Sequence, residues 1–137
     1  MGVVDGKLRF DTKLIHGGTS RDASGATKAP IVQASAFAYQ TAEELEDVFR
    51  GRAVGQVYTR IGNPTLEGLE KRLASVEDGI AAIVTSSGMS AITTAVMTIV
   101  RSGDEILSSS SLFGGTYSLF HDTLANYGIS TRFFDPV

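Results

Sequence analysis

The sequence predicts an α/β protein built on a mostly parallel sheet. Short runs near residues 81–85, 104–107 and 129–134 read as strands, the first rich in apolar β-branched residues and the second apolar at Ile106 and Leu107. Between and before them, apolar residues recur at helical spacing over residues 64–76, 89–101 and 115–127. Strands that alternate with helices of this length require crossover connections, and these produce a parallel sheet. Residues 1–57 are expected to form an N-terminal arm and a helix, and residues 58–137 the first part of the sheet-bearing domain.

Residues 1–40 lack sustained periodicity, because Gly17-Gly18, Asp22, Gly25 and Pro30 interrupt every apolar run. Yet Ile31, Val32, Phe37 and Tyr39 are too apolar for a solvated tail, so this arm is expected to dock on something, a second subunit being one choice. Thr41 to Glu44 reads as a capping box opening a helix toward Gly51. In YTRIGNPT, residues 58–65, Asn63 then Pro64 reads as N-cap and first helical residue. The helix that follows is expected to bury Leu66, Leu69, Leu73 and Val76, with Glu67 and Lys71 paired four apart on the solvent side.

The stretch TSSGMSAITTAVMTIV, residues 85–100, organises the rest. A buried strand leads into Ser86, Ser87 and Gly88, and a helix follows through Met89, Ile92, Val96 and Ile99. Ser87 is a cap, and Gly88 lets a ligand approach backbone N–H groups at the positive end of the helix dipole. That geometry suits a phosphate or another dianion, although no P-loop pattern is present. A plain, well-capped connection would look the same. The stretch SSSSLFGGTYSLF, residues 108–120, reads as a polar loop and a helix with Tyr117, Phe120 and Leu124 on one face, stopped by Gly128.

Composition narrows the function. A net charge of −3 carries no basic footprint, so a nucleic-acid partner is not expected. No apolar run approaches the roughly 20 residues of a membrane span, and the N-terminus has neither a signal-peptide core nor the residue-6 Ser or Thr of a myristoylation site. The cytoplasm is the expected compartment. With no cysteine and only His16 and His121, neither thiol chemistry nor a metal site is expected.

YTRIGNPT with LEKRLASVEDG behind it, then SSGMSAI, then SLFGGTYSLF, together resemble the transsulfuration family of pyridoxal-phosphate enzymes. HGG near residue 17 and API near residue 30 extend the likeness. The resemblance implies the N-terminal part of a fold-type I PLP-transferase large domain and the cofactor pyridoxal 5'-phosphate. It implies that Ser87, Gly88 and Met89 hold the cofactor phosphate through the turn. Tyr58 and Arg60, with Thr59 between them, would reach the same phosphate from a neighbouring subunit of a homo-oligomer, a dimer of dimers in complete relatives. Read without the family, Tyr58 and Arg60 form an ordinary surface turn.

Phe113 stands where many relatives carry a tyrosine. Its phenyl ring can stack on the cofactor but has no hydroxyl for acid–base work, and the alternative is simple core packing. The Phe-Gly-Gly-Thr-Tyr form looks most like the O-acetylhomoserine sulfhydrylase branch, with methionine γ-lyase and cystathionine γ-synthase as neighbours. The implied substrate is an O-acylated homoserine or a related sulfur amino acid. The Schiff-base lysine of the family has no counterpart here, since none of Lys7, Lys13, Lys28 or Lys71 lies in a matching context. No catalytic residue is therefore expected in this chain, and a non-catalytic assembly partner of a longer subunit is the competing reading.

Overall fold

A computed structural model of the chain describes residues 8–18 and 25–136. Lys7, Asp22 and the N-terminal residues 1–6 lie outside the described residues. The chain divides into two compact units, Met1–Val84 and Thr85–Val137.

In the first unit, α1 (Phe10–His16) lies along α3 (Pro64–Val76). A Cβ on Gly17 would fall 2.7 Å from the Ser75 hydroxyl oxygen, so the chain leaves α1 close against α3. The periodicity of residues 1–40 gave no sign of this helix, which is seven residues long. Its polarity is nonetheless favourable, with Asp11 in the first turn and Lys13 and His16 in the last.

The short helix α2 (Ala42–Phe49) opens as expected. The Thr41 hydroxyl accepts from the Glu44 amide at 3.2 Å. The Glu44 carboxylate reaches back one residue further than a standard capping box, to the Gln40 amide at 3.0 Å. Asn63 caps α3 by accepting from the Thr65 amide at 2.9 Å, with Pro64 as first helical residue. Lys71 pairs with Glu67 at 3.2 Å.

The leucine stripe of α3 departs from expectation. Leu66, Leu69 and Leu73 are half-exposed, and the chain just after α1, at Gly17 and Gly18, lies against Lys71, Arg72 and Ser75 of α3. The expected strand at residues 81–85 is also absent. The chain there has no regular structure, with Ile80 and Ile83 exposed, and the Val84 amide donates to the Glu70 carboxylate at 2.9 Å. Residue type favours a strand at this position, but a strand exists only where a neighbour completes the ladder.

In the second unit, α4 (Gly88–Ile99) precedes β1 (Glu105–Ser109). A helical segment spans Gly114 to Tyr127, and β2 (Ser130–Phe134) follows. The two strands pair in parallel, with Leu107 opposite Arg132. The segment between them changes pitch: α5 (Gly114–Ser118), a wide π turn (Leu119–Thr123), then a 3₁₀ turn (Leu124–Tyr127). Gly128 ends it with φ +74°, a left-handed conformation that glycine adopts without steric cost.

Leu119, Phe120, Leu124 and Ile129 form the buried core of this unit. Met89, Ile92 and Val96 of α4 pack on it, as do Ile106 and Phe133 of the strands. Tyr117 stacks on Phe133 at a ring separation of 4.5 Å. No described helix is long and apolar enough to cross a membrane.

Candidate functional site

The second unit holds Ser87, Gly88, Met89 and Phe113. Ser87 is extended (φ −158°, ψ 158°), and its hydroxyl oxygen accepts from the Ser90 amide at 3.1 Å. The Ala91 amide is bonded to the Ser87 carbonyl. Of the donors that a helix leaves unsatisfied at its start, those of Gly88 and Met89 therefore remain for a ligand. A Cβ built on Gly88 meets nothing within 4 Å, so the space beside those amides is open. Gly114, the first residue of α5, is equally open.

The starts of these two helices are tied together. The Met89 sulfur lies 3.4 Å from where a Gly115 Cβ would stand. The Thr116 hydroxyl, itself buried, donates weakly to that sulfur at 3.8 Å. The ring of Phe113 also flanks Gly115. Phe113 is 76% exposed, so it packs in no core formed by the described residues. It presents a flat aromatic surface beside glycine-opened amides.

A phosphate ester on a flat heteroaromatic ring fits this arrangement of donors, open cradle and exposed phenyl. The covalent part does not fit within the unit, because residues 85–137 contain no lysine. Of the described lysines, Lys13 pairs with Asp78, Lys71 pairs with Glu67, and Lys28 is exposed.

Tyr58, Thr59 and Arg60 lie in the first unit. The Tyr58 carbonyl accepts from Ile61 and Gly62, closing a turn, and the Arg60 guanidinium sits 5.9 Å from the centre of the Tyr58 ring. Thr59 is differently placed. Its hydroxyl donates to the Ala34 carbonyl and accepts from the Asn63 amide at 3.1 Å. With its one proton given to Ala34, it has none left for a phosphate oxygen.

The segment holding this turn is the arm. Residues 30–39 dock on their own chain, with Ala36 bridged antiparallel to Tyr58. Asn63 is legible in the sequence as a helix cap, and the structure gives it a second role. The side chain is only 4% exposed, and beyond the cap its NH₂ donates to the Val32 carbonyl at 3.1 Å and to Thr59. A full polar complement on a buried asparagine is the signal that structure adds. Close by, the Glu67 carboxyl is held below its ordinary range, first by the hydrogen bond from Gln56, which burial opposes, and then by the hydrogen bond and charge of Lys71.

A parallel β–α–β unit with a further helix before it places the chain among α/β proteins. Within that class, the chain belongs to the Cys/Met metabolism PLP-dependent enzyme family, whose model matches residues 11–137. It is 42% identical over 127 residues to an O-acetyl-L-homoserine sulfhydrylase of Corynebacterium glutamicum, covering 92% of this chain and 29% of that protein. It is 38% identical over 129 residues to an L-methionine gamma-lyase of Fusobacterium nucleatum, covering 94% of this chain and 33% of the relative.

Among solved structures, it resembles one from Campylobacter jejuni described as an O-acetylhomoserine (thiol)-lyase with pyridoxyl-lysine monophosphate. The TM-score is 0.86 at 34% identity, covering 94% of this chain and 32% of that one. The chain thus spans about a third of the length of the relatives it matches. Its fold is part of the fold-type I architecture of this family.

Proposed function

We propose that the chain is the N-terminal portion of a pyridoxal-phosphate transsulfuration enzyme of sulfhydrylase type, acting at Cγ of an O-acylated homoserine or a related sulfur amino acid. The observation that carries this reading is the open, capped start of α4 beside an exposed Phe113 in a chain of this family. The Gly88 and Met89 amides, at the positive end of the α4 dipole, donate to the phosphate. The phenyl ring of Phe113 stacks on the pyridine ring and fixes its tilt.

Tyr58 and Arg60 of a second copy complete the phosphate site, with the planar guanidinium matching phosphate oxygens at fixed geometry. When bound, pyridoxal phosphate supplies the electron sink that lets a γ-substituent depart and a sulfur nucleophile add. Phe113 has no hydroxyl, so the leaving group receives its proton from elsewhere.

A second reading is elimination in place of sulfur addition, supported by the 38% identity to an L-methionine gamma-lyase beside the 42% identity to a sulfhydrylase.

Titrating pyridoxal phosphate into full-length protein and its Arg60→Ala variant tests the leading assignment. Loss of one charge-assisted bond should weaken binding about ten- to hundredfold. Equal affinities would make Arg60 a surface residue and the phosphate assignment wrong. Elimination and sulfur addition are separated by product analysis: an α-keto acid indicates lyase chemistry, and homocysteine indicates sulfhydrylase chemistry.

A further inference from the structure

The loop carrying Tyr58 and Arg60 is held by more contacts than a surface turn requires. The Phe37 amide donates to the Val57 carbonyl at 3.1 Å, and the Thr59 amide donates to Ser35 at 2.9 Å. The Val32 amide donates to the Thr65 hydroxyl at 2.8 Å, and the Tyr39 hydroxyl donates to the Gln56 carbonyl at 2.8 Å. Asn63 lies at the centre, bonded at once to Val32, Thr59 and Thr65. Two glycines permit the close fit. A Cβ on Gly62 would stand 2.7 Å from the Gln56 side-chain oxygen, and one on Gly55 would collide with the Tyr39 hydroxyl.

A buried asparagine whose polar groups are all satisfied rigidifies its surroundings, whereas losing a partner leaves a buried group uncompensated. Holding Arg60 in advance spares the entropy of ordering a long, rotamer-rich side chain when an anion binds.

We propose that residues 30–39 act as a splint on the 56–65 loop, with Asn63 and Thr59 as positioning residues that hold the Tyr58–Arg60 pair ready for an anion. This rests on the phosphate reading of Arg60 given above. It also assigns Thr59 to the splint, because its hydroxyl proton is already committed to Ala34.

Asn63→Asp keeps the acceptor that caps α3 but replaces the donor to Val32 with a carboxylate facing a carbonyl. Thr59→Val removes the hydroxyl at constant shape, and Thr59→Ser restores it. Amide hydrogen exchange in the full-length protein gives the first readout. Protection at Phe37 and Thr59 should fall roughly five- to tenfold in Asn63→Asp and Thr59→Val, as expected for one lost hydrogen bond. Protection at Val96 in α4 should hold, and Thr59→Ser should behave as wild type. A uniform loss that includes Val96, or no loss at Phe37 and Thr59, would overturn the splint.

The second readout is pyridoxal phosphate affinity in a double-mutant cycle. Thr59→Val should weaken binding about tenfold in wild type and add little in the Arg60→Ala background, because it acts through Arg60. Additive losses would make Thr59 a direct ligand and overturn its positioning role. Wild-type affinity in Arg60→Ala alone would instead overturn the phosphate assignment, a result distinct from the exchange data.

Discussion

The loop at residues 56–65 and the core around Leu124 are ordered by opposite means. Leu119, Phe120, Leu124 and Ile129 exclude water, and helices and strands close over them. The loop instead contains a buried asparagine, and a hydrogen-bonded strap from residues 30–39 holds it. Apolar burial is non-directional and tolerates adjustment, whereas hydrogen bonds fix distances and angles. The contrast fits the roles proposed for the two regions: the core stabilises a fold, and the strap presents an arginine in one geometry.

Truncation separates the two most strongly. Leu124 is 2% exposed, so Leu124→Ala should cost about 2–5 kcal/mol through lost burial and a residual cavity. Leu69→Ala on the half-exposed stripe of α3 should cost about 1 kcal/mol or less. Urea unfolding of both variants checks this, and equal losses would mean that the α3 stripe is covered in solution.

A smaller effect is expected from acid. Folding lowers the Glu67 pKa, chiefly through the hydrogen bond from Gln56. The native state therefore binds this proton less readily than the unfolded chain does. The resulting stability is present above the ordinary glutamate range and is lost as pH falls through the lowered folded value. Glu67→Gln should flatten that part of the acid limb when Tm is followed from about pH 6 to about pH 3. An unchanged acid limb would detach Glu67 from the loop it braces.

What the sequence showed depended on distance along the chain. Thr41, Asn63-Pro64 and Ser87 were legible as caps because a cap and its helix are adjacent. The parallel pairing of β1 and β2 followed from alternating elements. Residues 81–85 have strand composition, but pairing is decided elsewhere. The seven residues of α1 are too few to set a period, and the pitch change after Ser118 leaves no local mark. The strap was invisible because its bonds run largely to backbone carbonyls, which every residue carries. Of the candidate site, the Gly88 turn and Phe113 were legible from short motifs, while the commitment of the Thr59 hydroxyl to Ala34 and Asn63 was not.

The start of α4 offers the most direct test, since stability and binding should change in different directions there. A Cβ at Gly88 meets nothing within 4 Å, and alanine favours a helix over glycine by up to about 1 kcal/mol. Gly88→Ala should therefore leave the unfolding midpoint unchanged or slightly raised. If the phosphate occupies the space beside the Gly88 and Met89 amides, the same methyl should weaken pyridoxal phosphate binding about tenfold or more, the cost of one displaced charge-assisted bond. Unchanged affinity in a variant of unchanged or greater stability would show that the phosphate does not sit at the start of α4.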